Sequence, residues 1–434
     1  MNMPTQLRRQ LGVGGATLLG LGSMIGTGVF VSIGLAAGAA GPSVLVAIVL
    51  AALLATCNAL NSAQLAALHP VSGGTYEYGY RWLRPSLGFL AGWMFLLAKS
   101  ASAATAALGF AGYLRATVDW DSGGFDYAIA VAAVFALTAI AVNGVRLSST
   151  VNLVIVSITL SGLAIFVASG LPLALREATI HQPSFWPTEG RAFWQATAWM
   201  FVAFTGYGRI ATLGEEVHEP QRTIPQAIIL TLVVTGGLYL AVAAVGVSSV
   251  GAAAMAEATQ SAHAPLSVVA EQFDWPAAPI WIAVAAMTAM LGVLLNLILG
   301  LSRVVLAMGR RGDLPQALAQ INRSQTTPVC AVLVVGATIG GLAWFGNIRA
   351  TWSFSALTVL IYYSITNLAA LALAPEERKY PRWLAVIGLA SCVMLAAWID
   401  WRIWLAGAGA TCVGFAVRRV IGRGPAIGPA ANDL

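Results

Sequence analysis

The first long apolar run of the chain, residues 16–44, is interrupted in its middle by residues 22–28, which read Gly-Ser-Met-Ile-Gly-Thr-Gly. A run of this length predicts a helix that crosses a lipid bilayer, whereas the clustered glycines favour a break in that helix. In hydrocarbon, an unpaired backbone amide or carbonyl group costs several kcal/mol, so an unwound segment persists only where a polar partner, such as a bound solute, replaces the helix hydrogen bonds. The sequence therefore predicts a binding site within the first membrane span.

The composition is that of a membrane protein. Of the 434 residues, 58% are hydrophobic and 9% are charged, which leaves too little polar surface to cover a soluble protein of this size. The charges stand in short clusters between apolar runs of about 17 to 25 residues, the length that a helix needs to cross the bilayer. We predict twelve spans, at residues 15–38, 43–68, 87–113, 126–143, 151–171, 192–213, 226–248, 278–302, 328–346, 352–373, 383–399 and 403–417.

Basic residues distinguish the two sides of these spans. Most of them, from Arg8 and Arg9 to Arg418 and Arg419, fall on one side. The other side carries only Arg115, Arg176, Arg191, Arg349 and Arg402. By the positive-inside rule both termini, residues 1–14 and 418–434, are predicted to be cytoplasmic. The net charge of +6 then reflects topology, and no nucleic-acid partner is expected. The Arg-rich, Lys-poor composition and the short loops favour a bacterial inner membrane.

A second interrupted span follows five helices after the first. Its apolar residues 201–204 run into Thr-Gly-Tyr-Gly-Arg at residues 205–209. Interruptions at matching positions of two five-span halves indicate an inverted-repeat transporter whose site lies near the bilayer midplane. We expect a transport core at residues 15–373, made of repeats at 15–171 and 192–373, with residues 383–417 forming helices 11 and 12. The alternative is that the glycines only allow close packing of helices.

Four segments match the sequence pattern of a known family. They are the glycine-rich residues 22–30, the loop 70–78, residues 214–217, and residues 312–315 after the eighth span. In these segments the chain resembles the amino acid, polyamine and organocation transporter superfamily, and within it the permeases related to the cationic amino-acid transporter group. The resemblance covers spans one to ten. It implies an all-α membrane protein with the leucine-transporter-like fold, a five-plus-five inverted repeat in which helices 1 and 6 are interrupted. It also implies amino-acid transport by alternating access.

A broken helix can hold a zwitterionic amino acid without a charged side chain. Free amides at the start of the resumed half-helix carry the positive end of the helix dipole and suit a carboxylate, and free carbonyls at the end of a half-helix suit an ammonium group. The resemblance implies the same division. We predict that the substrate-binding residues are Ser23, Met24, Ile25, Gly26, Thr27, Gly28, Val202, Ala203, Phe204, Thr205 and Gly206.

Two cations lie inside predicted spans, Lys99 and Arg209, and a charge at membrane depth is costly unless it has a function. Lys99 stands near the midplane among small residues, so its ammonium group is expected to point into the helix bundle, where it can act as a proton carrier. The alternative is a structural lysine held by backbone carbonyls. For Arg209 the alternative to a functional role is an ion pair with Glu215 or Glu216.

The chain departs from the family pattern at two positions. Many relatives have an acidic residue where Gly208 stands, and proton-coupled relatives have a lysine where Thr159 stands. An alignment to the family on Gly92 and Trp93 places Lys99 at the family's inner-gate position, opposite the missing acid. We hypothesise a coupling or gating role for Lys99, with Tyr363 as its gate partner. The Thr159 hydroxyl could instead bind sodium, so H⁺ and Na⁺ both remain candidate coupling ions.

Other classes of function fit the sequence less well. The His, Cys, Asp and Glu residues do not assemble into a nucleophile, a base or a metal site, so we expect no enzyme activity, no cofactor and no metal. A phosphate-binding Gly-x-x-x-x-Gly-Lys-Ser/Thr loop is absent, which excludes a primary pump. An ion-coupled symporter is the leading hypothesis; an exchanger of amino acids or polyamines, or a transporter-like nutrient sensor, is the alternative. The positive charges near the site favour neutral over basic substrates.

Overall fold

The computed structural model describes residues 11–70, 73–118, 125–143, 149–177, 190–211, 217–321 and 327–421. Within these ranges the chain is helical, and its one β-type pairing is an isolated parallel bridge between Leu11 and Val217. The predicted all-α class is confirmed.

The described residues form sixteen α-helices. They are α1 (Val13–Met24), α2 (Ile33–Ala40), α3 (Val44–Leu68), α4 (Thr75–Trp82), α5 (Pro85–Val118), α6 (Asp126–Val142), α7 (Ser149–Glu177), α8 (Gly190–Ala203), α9 (Gly208–Ala211), α10 (Pro220–Ser261), α11 (Pro265–Ala270), α12 (Ala278–Arg310), α13 (Val329–Phe345), α14 (Ile348–Leu371), α15 (Arg382–Ala397) and α16 (Trp401–Ile421). A π-helix, Gly28–Ser32, precedes α2, and a 3₁₀ turn, Thr205–Tyr207, joins α8 to α9.

Seven helical segments of the described chain are long and apolar enough to cross a membrane. They are Gly28–Leu68, which includes α2 and α3, and the segments of α5, α7, α10, α12, α14 and α16. The shorter apolar helices α1, α6, α13 and α15 have between 10 and 17 residues each. A membrane protein with several helical spans is thus supported, while the count of twelve spans and the inverted repeat stay predictions.

Several helices extend beyond the predicted spans. α5 continues to Val118, where the sequence predicted an end near residue 113, and α12 continues to Arg310, where it predicted an end near residue 302. Hydropathy locates the part of a helix that suits hydrocarbon, whereas a helix that satisfies its own backbone hydrogen bonds can continue into polar surroundings. For the same reason hydropathy did not predict the short polar helix α4, which occupies part of the segment read as a loop.

One long helix contains a break that the sequence analysis missed. α10 spans Pro220–Ser261, but Gly251 has φ 83° and ψ 157°, a conformation that side chains with a Cβ rarely adopt. The predicted span of residues 226–248 ends just before this kink. The kink redirects the last part of α10 toward the loop that leads to α11.

α5 positions the candidate site. It packs against both α12 and α14, and its inner face is made of fully buried alanines. These are Ala98, Ala101, Ala103, Ala104, Ala106 and Ala107. Small side chains let neighbouring helices approach closely in a bilayer, so the polar residues of α5, including Lys99, lie close to the broken helices.

Candidate substrate site

The first helix break exposes donors. α1 ends at Met24 because Ile25 takes an extended conformation with φ −81° and ψ 102°. Among the described residues no acceptor is hydrogen-bonded to the amides of Gly26, Thr27 and Gly28, which are the first-turn amides of the resumed helix. The Thr27 hydroxyl is also buried without a partner. Three amides and one hydroxyl at a helix start form a set of donors suited to a carboxylate.

Close packing explains the glycines of this break. A Cβ at Gly26 would lie 2.8 Å from Cγ2 of Val293 in α12, and one at Gly28 would lie 2.7 Å from the Cβ of Ala203. Both distances are shorter than real Cβ contacts. The break is therefore held between α12 on one side and the end of α8 on the other.

The second break lies against the first. α8 ends at Ala203, and the 3₁₀ turn that follows brings Gly206 so close to α1 that a Cβ there would lie 2.5 Å from the carbonyl oxygen of Ser23. The structure thus brings together the two interrupted segments that lie about 180 residues apart in sequence. Only glycine allows this approach of one backbone to another.

Four carbonyls at the two breaks, those of Met24, Val202, Ala203 and Thr205, each accept a hydrogen bond from a side-chain hydroxyl. Tyr239 of α10 donates to Met24 O at 2.6 Å and to Ala203 O at 3.3 Å. Thr205 Oγ1 donates to Val202 O at 2.7 Å, and Tyr363 donates to Thr205 O at 3.3 Å. A carbonyl oxygen has two lone pairs, so each retains the capacity for one more donor.

The Ser23 carbonyl differs from these four, because within the described chain no side-chain donor is hydrogen-bonded to it. Ser23 lines the cavity between the breaks. Its carbonyl oxygen is therefore the acceptor that is most available to an ammonium group.

Two cavities meet at the breaks. The central cavity, of about 50 Å³, lies between the broken helices, and the basic-end cavity, of about 150 Å³, extends from it toward the arginine-rich end of α12. Six residues line both: Ser23, Lys99, Thr205, Gly206, Val293 and Leu297. None of the described residues that line either cavity is acidic. Lys99 thus lines both cavities. Glu215 and Glu216, the predicted ion-pair partners of Arg209, lie outside the described residues.

Lys99 stands at the junction of these cavities. Its Nζ donates to Oγ1 of Thr205 at 3.0 Å, and this is the partner of Lys99 found among the described side chains. An ammonium group has three donors, so the remaining two are available to water or solute in the cavities that Lys99 lines. The structure places Lys99 beside the second break, and its coupling or gating role stays a prediction.

The other predicted coupling residues divide into two groups. Gly208 and Arg209 line the basic-end cavity, and Tyr363 packs beside them, since a Cβ at Gly208 would lie 3.3 Å from its hydroxyl. Thr159 is separate: its hydroxyl donates to Ile155 O at 2.7 Å within α7, and Thr159 lines neither cavity. Of the predicted binding residues, Ile25, Gly26 and Phe204 also lie behind the cavity lining.

Two tryptophans cover the central cavity at the end opposite the basic-end cavity. Trp352 lines the central cavity, and its Nε1 donates to Trp199 O at 3.1 Å. Trp199 Nε1 in turn donates to Ser353 Oγ at 2.9 Å. Sequence reasoning missed both residues, and it missed the wall formed by Val293 and Leu297. The one available signal was an indole group at the start of a predicted span.

The described residues contain no group of three or more His, Cys, Asp or Glu side chains placed to hold a metal ion. The donors and acceptors at the site are backbone groups, hydroxyls and one ammonium group. This set of groups suits a charged, hydrogen-bonding organic solute.

Comparison with known proteins identifies the family. The family model for amino acid permeases matches residues 15–423. The chain is 41% identical to an uncharacterized transporter of Mycobacterium tuberculosis, over 97% of this chain and 94% of the relative. It is 28% identical to a branched-chain amino acid permease of Bacillus subtilis, over 87% of this chain and 83% of the relative. It is also 28% identical to human cationic amino acid transporter 4, over 87% of this chain and 62% of the relative. The chain belongs to the amino acid permease family.

Proposed function

We propose that this protein is a secondary transporter that moves small neutral amino acids across the cell membrane by alternating access. The observation that carries the proposal is the meeting of the two helix breaks around the central cavity. There Ser23, Thr27 and Gly28 line the same small space, which brings the unpartnered amides of residues 27 and 28 together with the carbonyl of Ser23. A carboxylate and an ammonium group on the same carbon match that arrangement.

The charge of the site selects among amino acids. Lys99 lines both the central cavity and the basic-end cavity, and the described lining of both lacks a carboxylate. A substrate with a second ammonium or guanidinium group would bring like charges together in surroundings of low dielectric, where repulsion is strong. The apolar wall of Val293 and Leu297 suits an uncharged side chain. Neutral amino acids therefore fit better than basic ones.

The arrangement of the cavities corresponds to one state of an alternating-access cycle. The central cavity shares its lining with the basic-end cavity and is covered at the other end by Trp352 and Trp199. The positive-inside rule assigns the basic end to the cytoplasm. On that assignment the substrate would reach the central cavity from the cytoplasm in this state, and opening of the tryptophan pair would give the opposite state.

We assign ion coupling to Lys99 and to protons. Its ammonium group contacts Thr205, which belongs to the second break, so a change in its charge alters a contact between α5 and the segment that binds substrate. Thr159, the candidate sodium ligand, donates its hydroxyl to its own helix and lies away from the cavities. This geometry favours a proton-coupled symporter over a sodium-coupled one.

Uptake by the purified protein in liposomes tests this function. Radiolabelled alanine should exchange into vesicles preloaded with unlabelled alanine, and excess unlabelled alanine or valine should compete more strongly than lysine. An inwardly directed pH gradient should drive accumulation into vesicles that contain no amino acid, with or without sodium. Exchange that requires internal substrate, with no response to the gradient, would identify an exchanger; absence of both activities would reject the transporter assignment.

A further inference from the structure

We propose that the end of the protein opposite the basic end carries a second amino-acid site, in which Arg349 captures the carboxylate of the substrate before it enters the central cavity. This inference rests on the proposed function and adds a binding step to it. The site is a separate cavity, the outer vestibule, of about 330 Å³. Its lining includes Trp199, Gln260, His263, Asn347 and Arg349.

The outer vestibule has the chemistry of a zwitterion site. Arg349 is its cation, and the described lining contains no carboxylate that would neutralise it. A guanidinium group offers a fork of donors that matches a carboxylate. Gln260 adds a side-chain amide to the same cavity, and its carbonyl oxygen can accept from an ammonium group. The amide oxygen of Asn347 already accepts from Ala350 N at 2.8 Å and retains one lone pair for a further donor. The vestibule thus contains partners for both charged groups of an amino acid.

His263 adds an imidazole to the lining of the outer vestibule. Its Nδ1 is buried and has no partner among the described residues, although His263 lines the vestibule. A buried polar atom without a partner is unfavourable. The backbone of His263 is also held at φ 57°, which is uncommon for a residue other than glycine.

The vestibule and the central cavity are separated by one pair of tryptophans. The guanidinium carbon of Arg349 lies 5.6 Å from the centroid of the Trp199 ring, in cation–π geometry. Trp199 lines the vestibule, and its carbonyl accepts from Trp352, which lines the central cavity. A carboxylate bound to Arg349 would compete with the Trp199 ring for the cation. Capture of substrate would therefore act on the pair that has to open.

The test compares transport in the two directions. In proteoliposomes of known orientation, Arg349→Gln should raise the KM for uptake from the vestibule side by about tenfold or more, the loss expected for one charge-assisted hydrogen bond. The KM from the basic side and the maximal rate should stay unchanged. Arg349→Lys should recover part of the effect. Arg402→Gln, an exposed arginine at the same end that stands over Trp401, is the matched control and should leave both KM values unchanged.

Equal changes of KM from both sides, or no change, would overturn the second site while leaving the proposed function intact. Loss of amino-acid exchange by the unaltered protein would reject the proposed function instead. Equilibrium binding gives a second measurement: Gly206→Ala protein, whose breaks are forced apart, should retain weak alanine binding that Arg349→Gln removes. Binding that persists in the double variant would also contradict the proposal.

Discussion

The ammonium nitrogen of Lys99 lies 3.0 Å from Oγ1 of Thr205, at the boundary shared by the central and basic-end cavities. The Thr205 hydroxyl in turn donates a hydrogen bond to the carbonyl of Val202, which lies in the last turn of α8. A charge on α5 is thus connected by two hydrogen bonds to the end of a broken helix. The proposed coupling between protonation of Lys99 and the position of the second break rests on this connection.

Replacing Lys99 with glutamine should abolish the dependence of uptake on a pH gradient. Glutamine can keep a hydrogen bond to Thr205 but cannot carry a proton, so alanine exchange should persist while gradient-driven accumulation disappears. The measurement is uptake between about pH 5.5 and pH 8, a range over which a tuned proton carrier changes its charge. The chain has one other lysine, Lys379, which is exposed and donates to Gln221 O. Lys379→Gln is the control; a Lys99→Gln protein that still accumulates alanine would reject the coupling role.

Adding one methyl group at Gly206 should abolish transport. The Cβ of Gly206→Ala would lie 2.5 Å from Ser23 O and 2.6 Å from Met24 Cγ, so the two breaks would have to separate. Gly237→Ala in α10 is the matched control, because a Cβ there has no neighbouring atom within 4 Å. Uptake and gel filtration of both variants should show a folded Gly206→Ala protein without transport. Normal uptake by Gly206→Ala would contradict the close approach of the breaks.

Removal of the Tyr239 hydroxyl should loosen both breaks at once. Tyr239→Phe keeps the ring, whose centroid lies 5.2 Å from that of Phe204, and loses the donor to Met24 O and Ala203 O. We expect a loss of about 1 kcal/mol in the free energy of unfolding, the typical net value of a buried hydrogen bond. Thermal unfolding in detergent measures it, with the exposed Tyr127→Phe as control. Equal melting temperatures for the two variants would show that the hydrogen bonds of the Tyr239 hydroxyl contribute nothing to stability.

The features that could be predicted, the membrane spans and the two helix breaks, are those that depend on neighbouring residues in the sequence. Long apolar runs have few solutions in a bilayer, and glycine clusters within them favour breaks, so residues 22–28 and 205–209 could be identified before the structure. Counting residues along one helix predicts that Lys99 lies near the midplane, at the depth of the two breaks. These signals need no knowledge of which helices touch.

The unpredicted part depends on contacts between distant segments. Tyr239 and Trp352 donate hydrogen bonds to carbonyls of other helices. No sequence pattern in α10 or α14 shows which carbonyls accept them. Thr159 illustrates the reverse case, because a hydroxyl at a promising position on α7 bonds to its own backbone and faces away from the cavities. Helix ends such as that of α12 were also missed, since polar residues can continue a helix beyond the hydrocarbon.

Arg418 should stabilise the basic end more than its neighbour Arg419. Its Nε lies 3.0 Å from Oδ1 of Asp313, and the other carboxylate oxygen of Asp313 accepts from the hydroxyls of Tyr76 and Tyr80. The Asp313 side chain is 5% exposed and that of Arg418 is 25% exposed. Arg418→Ala would leave a buried carboxylate without its cation, and we expect a loss of about 2 kcal/mol, below that of a fully buried pair because solvent screens Arg418.

The exposed Arg419→Ala serves as control for this ion pair, since it removes the same charge one residue away. Thermal unfolding of the two variants at low and high salt gives the comparison. A lower melting temperature for Arg418→Ala, with little change for Arg419→Ala, is the expected result. Equal melting temperatures would mean that the two phenols of α4 hold Asp313 without help from α16.

His263 should make the protein less stable below pH 6.5. It lies between α10 and α11, and burial lowers the pKa of its imidazole below the usual value of 6.5; the Asp126 carboxylate partly opposes this shift, and Arg115 adds to it. The folded state therefore holds the neutral form. Above pH 6.5 neither state is protonated and the stability is intact, whereas below it the unfolded chain takes up a proton that the fold resists, so stability falls with pH.

His263→Asn removes this titration and keeps a residue that tolerates φ 57°. The measurement is the difference in melting temperature between about pH 7.5 and pH 5.5, on either side of the unperturbed histidine pKa. This difference should be smaller in His263→Asn than in the unaltered protein, whereas His218→Asn, at an exposed position, should leave it unchanged. If the melting temperature falls by the same amount in all three proteins on acidification, the buried imidazole of His263 is not the group responsible. The decrease then has to be assigned to other titrating residues.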